Sequence, residues 1–452
     1  MSFLETRFGL RQAGSSVRRE FVAGSTSFCA LSYVLFVQPA LLAQAGMDAG
    51  GVLFATCVAS AFACFLMGWF ANHPFALAPA MGHNAFFVFT ACGLLGLRWQ
   101  EALAANLLSG LVFVALSGSG LRERVMELVP EPVRRGVAAG IGLLIALLGL
   151  QWGGVVVDHP ATLIAGGRLS EPTALLFCFG LLLSSALVVR RVPGAILLGL
   201  LGTAAAGWLA TRLFALEVPL VRVGGLVGAP PSPASAWAFD FGGLFARPVL
   251  DWVAVVLVFL LLDLFDTVGT LLGLAERSGS LENGRLPRAR AALFADAAGT
   301  VAGCSLGTST VTSYVESAAG IQSGGRTGLT ALVVGGWMLL ALFFAPLIEA
   351  VGAGVPVGEG VRYPVIAPVL VLVGAMMMGV VRDIDWEELG EAIPAFLTLA
   401  VCALTLSITD GLAFGFLSWS LLCLVRGQRC AWGTHLIALV FLGRFVLQEF
   451  LA

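Results

Sequence analysis

The 452-residue chain contains no lysine; all 25 of its basic residues are arginine. Schiff-base chemistry and the phosphate-binding loop both require a lysine, so both are excluded. Charge of either sign is scarce: 12% of residues are charged and 58% are hydrophobic. A soluble domain carries about 25% charge. With a mean hydropathy of +0.95, the composition is that of an integral membrane protein. The net charge of −2, with no basic block or tail, gives no case for nucleic acid. None of the nine cysteines forms a CxxC pair, and Cys29, Cys57, Cys64, Cys178 and Cys402 lie inside apolar runs. They read as small core hydrophobes rather than a disulfide or zinc framework. No HExxH motif and no glycine-rich phosphate loop occurs.

What the chain has instead is a series of apolar runs of about 20 residues, the length that crosses ~30 Å of hydrocarbon. The runs are continuous rather than alternating, which predicts helices and not a β-barrel. They place spans at 21–44, 51–71, 75–95, 101–120, 133–157, 172–190 and 193–214, then at 250–274, 289–305, 309–321, 327–350, 361–381, 392–408 and 410–425. A further run at 432–450, interrupted by Arg444 and bounded by Gln448 and Glu449, either lies in the interface or forms an extra span.

Arg7, Arg11, Arg18 and Arg19 precede the first long run, as in a cytoplasmic tail rather than a cleavable signal. The loops on the same side hold Arg122, Arg124, Arg134, Arg135, Arg190, Arg191, Arg277, Arg285, Arg288, Arg290, Arg326, Arg382, Arg426 and Arg429. The opposite loops hold Arg98, Arg168, Arg212, Arg222, Arg247 and Arg362. The bias puts the N-terminus and the end of the fourteenth span in the cytoplasm.

The fold expected is an all-α polytopic membrane protein of 14 segments. Because seven is odd, two sets of seven must be inverted repeats. The boundaries are a tail at 1–20, a first repeat at 21–222, a loop on the far side of the membrane at 223–249, a second repeat at 250–425 and a C-terminal segment at 426–452. In each set the third span is interrupted by polar residues, and paired interruptions point to the central site of a transporter.

Three stretches carry chemistry. GTSTVTSYVESAAG at 307–320 sets five hydroxyls, a tyrosine and Glu316 within a length too short to cross the bilayer. A carboxylate near the bilayer centre costs at least ~2.5–3.5 kcal/mol, so Glu316 is expected to face protein or water. The alternative is a carboxylate at a helix end near the interface. VFLLLDLFDTVGT at 258–270 spaces Asp263 and Asp266 three apart on neighbouring rows of one helix face, continued by Thr267 and Thr270. One of these acids could instead bond a serine or the backbone of a neighbouring broken helix. APAMGHNAFF at 78–87 offers a break at Pro79 and Gly82, the two-way hydrogen-bonding amide of Asn84, and the rings of Phe86 and Phe87. His83 in that stretch serves equally as a core hydrogen-bonding residue or a substrate contact. GCSLG at 303–307 fits the serine-hydrolase pattern G-x-S-x-G, but an apolar span precedes Ser305 where the nucleophile elbow needs a strand.

Together, APAMGHNAFF, DLFDTVGTL, GTSTVTSYVESAAG and GGRTGLTA resemble the AzgA-like purine permeases of the nucleobase–cation symporter-2 superfamily. The likeness runs across nearly the whole chain. It implies a uracil-transporter-like fold: a core domain from spans 1–4 and 8–11, a gate domain from spans 5–7 and 12–14, and short strands near Met81 to Phe86 and Ser309 to Thr312. It implies substrate contacts at Asn84, Asp263, Asp266 and Glu316, with Ala85, Phe86, Thr270 and Val315 beside them and His83, Ser309 and Thr310 nearby. Asp263, Asp266 and Glu316 are the candidates for proton coupling. Ala80, His83 and Phe87 depart from the family pattern, so the purine preferred stays open.

The function expected is import of adenine, guanine or hypoxanthine across the cytoplasmic membrane by cation symport. The coupling ion expected is H⁺, with no cofactor or metal. The partners are a purine base and the lipid bilayer, with a homodimer as the oligomer considered. The rivals are an anion transporter of the same fold, a channel and an intramembrane serine hydrolase.

Overall fold

The computed structural model describes residues 3–119, 129–280, 286–358, 360–427 and 430–451. Arg122, Arg124, Arg285 and Arg429 lie outside them. Among the described residues, nine helical stretches are long and apolar enough to cross a membrane. The fold is thus mostly helical and polytopic. The other runs read from the sequence are shorter, broken or, as at 289–305, less apolar.

The chain opens with α1 (Phe3–Phe8), then α2 (Val17–Leu31) and α3 (Val34–Ala43) around a break at Ser32 and Tyr33. α4 (Ala49–Leu66) continues as a π-helical turn to Ala71. The first interrupted span follows as β1 (Leu77–Pro79) and α5 (Met81–Ala85), which runs on as a π-helix, Phe86–Leu94. Next come α6 (Trp99–Ser119), α7 (Glu131–Trp152), the hairpin β2 (Val156–His159) and β3 (Leu163–Gly166), α8 (Pro172–Val189), α9 (Ala195–Leu213) and the short α10 (Phe241–Phe245).

The second half holds α11 (Val249–Ser278) and α12 (Ala289–Leu306), then the other interrupted span as β4 (Val311–Ser313) and α13 (Ser317–Gln322). It continues with α14 (Gly328–Ala341), α15 (Ala345–Gly352), the hairpin β5 (Val355–Val357) and β6 (Gly360–Arg362), α16 (Ala367–Met377), α17 (Leu389–Leu404) and α18 (Ile408–Arg426). The run read at 432–450 is one helix, α19 (Trp432–Leu451), lying along α18 and α11.

Two packing groups share the chain. α2 to α6 pack with α11 to α14, whereas α7 to α9 pack with α16 to α18. Outside the spans, Arg426 at the end of α18 donates to Glu388 before α17 at 2.5 Å. That bond, with a second from the Gly390 N–H, holds the Glu388 carboxyl below its ordinary range.

At the centre of the first group, β1 and β4 pair antiparallel in the register Leu77↔Ser313, Ala78↔Thr312, Pro79↔Val311. Two flanking bonds extend the ladder: Tyr314 N donates to Ala76 O and Ala80 N to Thr310 O, both at 2.9 Å. Every residue of the two strands is buried. In a bilayer such backbone is tolerated only when its polar groups are satisfied within the protein. Here the facing edges bond each other, while on the outer edges Leu77 bonds Cys64, Val311 O accepts from Thr300 and the Ser313 N–H donates to Asp296.

The first strand lies earlier than the expected Met81 to Phe86, which is helical. Pro79 explains the shift, because its ring forces Ala78 extended and it tolerates a place just before a helix start. The second strand lies at Val311–Ser313, close to the expected Ser309 to Thr312. Its chain reverses at Gly307, whose φ of +96° is strained for other residues and whose absent Cβ leaves room for Ser235.

Candidate functional site

The candidate residues fall into three settings around the β1–β4 pair. The first is an open recess. Asp266 on α11 is exposed, Glu316 ahead of α13 is half-buried, and Val315 between β4 and α13 is 55% exposed. Thr270, one turn beyond Asp266, donates to its Oδ1 at 3.3 Å. Tyr33, at the break between α2 and α3, donates its hydroxyl to Glu316 Oε1 at 3.0 Å. The Tyr314 ring stands 6.5 Å from that of Tyr33 and gives its own hydroxyl to the carbonyl of Pro79. Two carboxylates, one exposed and one half-buried, therefore lie at this site, with the buried rings of Tyr33 and Tyr314 beside Glu316. One oxygen of Glu316 is already engaged, so the other is left to accept from a ligand.

The second setting is a pair of closed polar networks. Asn84 is fully buried and exchanges bonds with Gln38 through both ends of its amide. Gln38 Nε2 also lies 2.9 Å from Thr308 Oγ1 and 3.2 Å from Ser309 Oγ, and Ser309 donates to Asn84 Oδ1. Thr310 reaches across to Asn106 Oδ1 at 2.8 Å. On the other side of the strands, Asp263 is fully buried and accepts from Thr300 on α12. The third setting is packed core. Ala85 and Phe86 are buried, and Phe86 meets Phe259 edge-on at 4.6 Å. His83 is buried too, and its Nε2 has no hydrogen-bond partner among the described residues.

Asp263 and Asp266 thus do not share one opening. An offset of three residues leaves about 60° between side chains around the helix axis, enough to turn Asp263 toward α12 and Asp266 into the recess. Of the candidates, Asp266, Thr270, Val315 and Glu316 come together at the recess; Asn84, Ser309 and Thr310 stand behind it.

Four important residues escaped the reading of the sequence. Asp296 on α12 is fully buried and is the hub of β4: it accepts from Thr267 at 2.6 Å, from the Ser313 N–H at 2.9 Å, from Ser313 Oγ at 3.1 Å and from Thr312 at 3.3 Å. Its signal was present, since a lone acid in an apolar run carries the same cost as Glu316. Gln38 carried a weaker signal, a polar residue next to Pro39 inside an apolar run. Tyr33 and Asn106 carried none that set them apart.

Two cavities lie elsewhere. One of about 420 Å³ is lined by Gln44, Cys92, Arg98 and Trp99, and one of about 300 Å³ by Gln151, Asp158 and Arg362. No candidate residue lines either. Ser305 sits in the last turn of α12 and donates to Val301 O at 2.7 Å, with a helix and not a strand before it, so the hydrolase pattern there is a coincidence of sequence. Among the described residues no cluster of three or more His, Cys, Asp or Glu is arranged to hold a metal ion.

The profile of the family Xan_ur_permease, described as a permease family, matches residues 18–417. The guanine/hypoxanthine permease PbuG of Bacillus subtilis is 39% identical over 435 residues, covering 94% of this chain and 95% of that protein. The adenine permease AdeP of Escherichia coli is 37% identical over 427 residues, with coverages of 94% and 91%. The nucleobase transporter PlAzg2 of Paenibacillus larvae is 35% identical over 409 residues, with coverages of 90% and 78%.

Among solved structures, the transmembrane domain of the cyanobacterial bicarbonate transporter BicA matches with a TM-score of 0.63 at 17% identity, over 92% of this chain and 98% of that one. SLC26A9 matches with a TM-score of 0.62 at 11% identity, over 91% of this chain and 66% of that one. At these identities the likeness is one of fold. The family match spans both interrupted segments and the recess between them, and the chain belongs to the Xan_ur_permease family of membrane permeases, as a transporter and not an enzyme.

Proposed function

We propose that the chain imports purine nucleobases by H⁺ symport, and that the recess at Asp266, Val315 and Glu316 is where the base binds. One observation carries the reading: two carboxylates on different elements, one exposed and one half-buried, stand at one site beside the buried rings of Tyr33 and Tyr314. A purine is a flat, nearly uncharged ring with N–H donors along its edge. Carboxylates accept those donors, and hydrogen bonds to a charged acceptor contribute about 1.5–3 kcal/mol each. Tyrosine rings cover a face of the base without demanding charge from it. Relatives named as adenine and guanine/hypoxanthine permeases support the same substrate class.

In this reading Glu316 accepts from the ring edge, and Asp266 either accepts from the other side or carries the coupled proton. A protonated site crosses the membrane field without its negative charge, which ties movement of the empty carrier to the proton gradient. The 14 segments form two inverted repeats of seven. The group built on β1 and β4 is the core domain that moves against the gate group of α7 to α9 and α16 to α18, exposing the recess to each side in turn. The N-terminus and the end of the fourteenth span face the cytoplasm.

Uptake of radiolabelled adenine, guanine and hypoxanthine into proteoliposomes under an imposed pH gradient tests the reading, with sodium omitted. Wild type should concentrate at least one base, and Glu316→Gln should lose concentrative uptake; a variant that still accumulates base against its gradient would sink the role of Glu316. A second reading, anion transport, is favoured by the fold shared with BicA and SLC26A9. The recess argues against it, because two acids repel an anion. Competition by bicarbonate or sulfate instead of a purine would reverse that judgement.

A further inference from the structure

The cysteines contain a pair that the spacing of the sequence gives no reason to join. Cys423 lies in the last turn of α18, and Cys430 lies two residues before α19. Their sulfurs are 3.1 Å apart, and both are free thiols. Cys423 is buried and Cys430 is half-buried, so Cys430 is the one that a small reagent reaches first. The Trp419 Nε1–H donates to Cys430 Sγ at 3.0 Å, which fixes that sulfur against α18. A disulfide needs about 2.05 Å between sulfurs, an approach of roughly 1 Å from where the thiols stand.

The helix that follows this pair touches two parts of the molecule. α19 rests on α18 through Phe416 and Phe441, whose rings lie 6.1 Å apart, and through Ser420 and His435, 2.6 Å apart. It also rests on α11, the helix that carries Asp266. α19 therefore bridges an element of each packing group.

We propose that Cys423 and Cys430 form an oxidation-sensitive dithiol whose disulfide staples α19 to α18 and slows transport. A peroxide is the oxidant. The Cys430 thiolate attacks one peroxide oxygen, the O–O bond breaks, the second oxygen leaves as hydroxide and becomes water, and Cys430 becomes a sulfenic acid. Cys423 then attacks that sulfur, the S–S bond forms, and the sulfenic oxygen departs as a second water. Two thiols and one peroxide give one disulfide and two waters. A small thiol reverses the change by exchange at the disulfide. At the cytoplasmic face, where the pair lies in the orientation proposed above, reducing thiols keep it open at rest. The slowing rests on the alternating-access reading. Once the first turn of α19 is fixed to α18, any movement of α11 against α18 must shear the α11–α19 contact alone.

The chemical half of the test does not depend on transport. Arg426 and Arg429 lie between the two cysteines, so trypsin separates them unless sulfur joins them. Full-length protein treated with hydrogen peroxide, alkylated and digested should yield the joined peptide pair. The pair should vanish on reduction and in Cys423→Ser and Cys430→Ser proteins. In proteoliposomes the same treatment should slow initial purine uptake by wild type about threefold or more, the scale of a contact coupling two moving elements. Dithiothreitol should restore the rate, and both serine variants should keep theirs. Absence of the joined peptides overturns the proposal, and so does a joined pair with an unchanged rate or equal slowing of the serine variants. Failure of the transport reading would look different: untreated protein would take up no purine, while the peptides would still report on the thiols.

Discussion

Asp296 is the acid on which the geometry of the recess depends, although it does not line the recess. It accepts one backbone and three hydroxyl hydrogens, three of the four from β4 itself. Removing a buried acceptor leaves each donor without a partner, and bonds to a charged acceptor are worth about 1.5–3 kcal/mol each. Asp296→Ala should therefore lower stability by at least about 3 kcal/mol, read as a lower melting temperature in detergent, and should abolish uptake. Asp296→Asn keeps one acceptor oxygen and should lose less of both. A melting temperature unchanged in Asp296→Ala would show that β4 is held by other means.

Residue identity was legible where cost was high and direction was not needed. Glu316 was found because its run leaves an acid no cheap place in lipid, and Asp266 because it stood beside a second acid. The same cost applied to Asp296, whose run has no second acid to draw attention to it. Direction was the harder matter. The sequence marks Asn84 as a substrate contact, and in the structure its amide bonds Gln38 and Ser309. Tyr33 could not be told from any other aromatic residue until the chain folded it against Glu316.

Helix contacts in the second packing group depend on missing side chains. Gly136 and Gly140 lie one turn apart on α7 and face α17. A Cβ on Gly136 would come within 2.7 Å of Ala395 O, and one on Gly140 within 2.9 Å of Cys402 Cβ. Small residues one turn apart allow helix backbones to approach closely in lipid, where no hydrophobic drive holds them together. Gly136→Ala should force α7 and α17 apart at a cost of about 1–3 kcal/mol, seen as a lower melting temperature. Gly336 on α14 meets nothing within 4 Å of a built Cβ, so Gly336→Ala is the matched control and should show no such loss. Equal behaviour of the two variants would remove close approach as the explanation.

Most helices were legible because a continuous apolar run has one reading in a membrane. The interrupted elements were less so: their strands are three residues long and take their conformation from a partner more than half the chain away. No local pattern distinguishes Leu77–Pro79 from the start of a helix until Val311–Ser313 is beside it.

For the molecule as a whole, the proposed movement makes a prediction about access. Val315 is an exposed apolar residue between two buried stretches, and in the proposed site a bound base covers it. Val315→Cys should react with a maleimide in the absence of substrate and be protected by the base that is transported. Unchanged labelling at saturating adenine, guanine and hypoxanthine would place the binding site elsewhere. The native cysteines provide the background, read in the parent protein.

The pairing of β1 with β4 also constrains how the molecule is made. A chain emerging from the ribosome inserts Leu77–Pro79 long before Val311–Ser313 exists. Until then, the groups on the edge that faces β4, such as Ala76 O and Ala80 N, have no partner, although Leu77 already meets Cys64, and hydrocarbon supplies none. The first half must therefore wait in a provisional form, with that segment held by water, by the insertion machinery or at the membrane surface. The recess is assembled late, in a single event that joins the two halves. Severing the chain in the 223–249 loop would then yield two pieces that are each unstable alone, and the second piece would act as the template on which the first completes its fold.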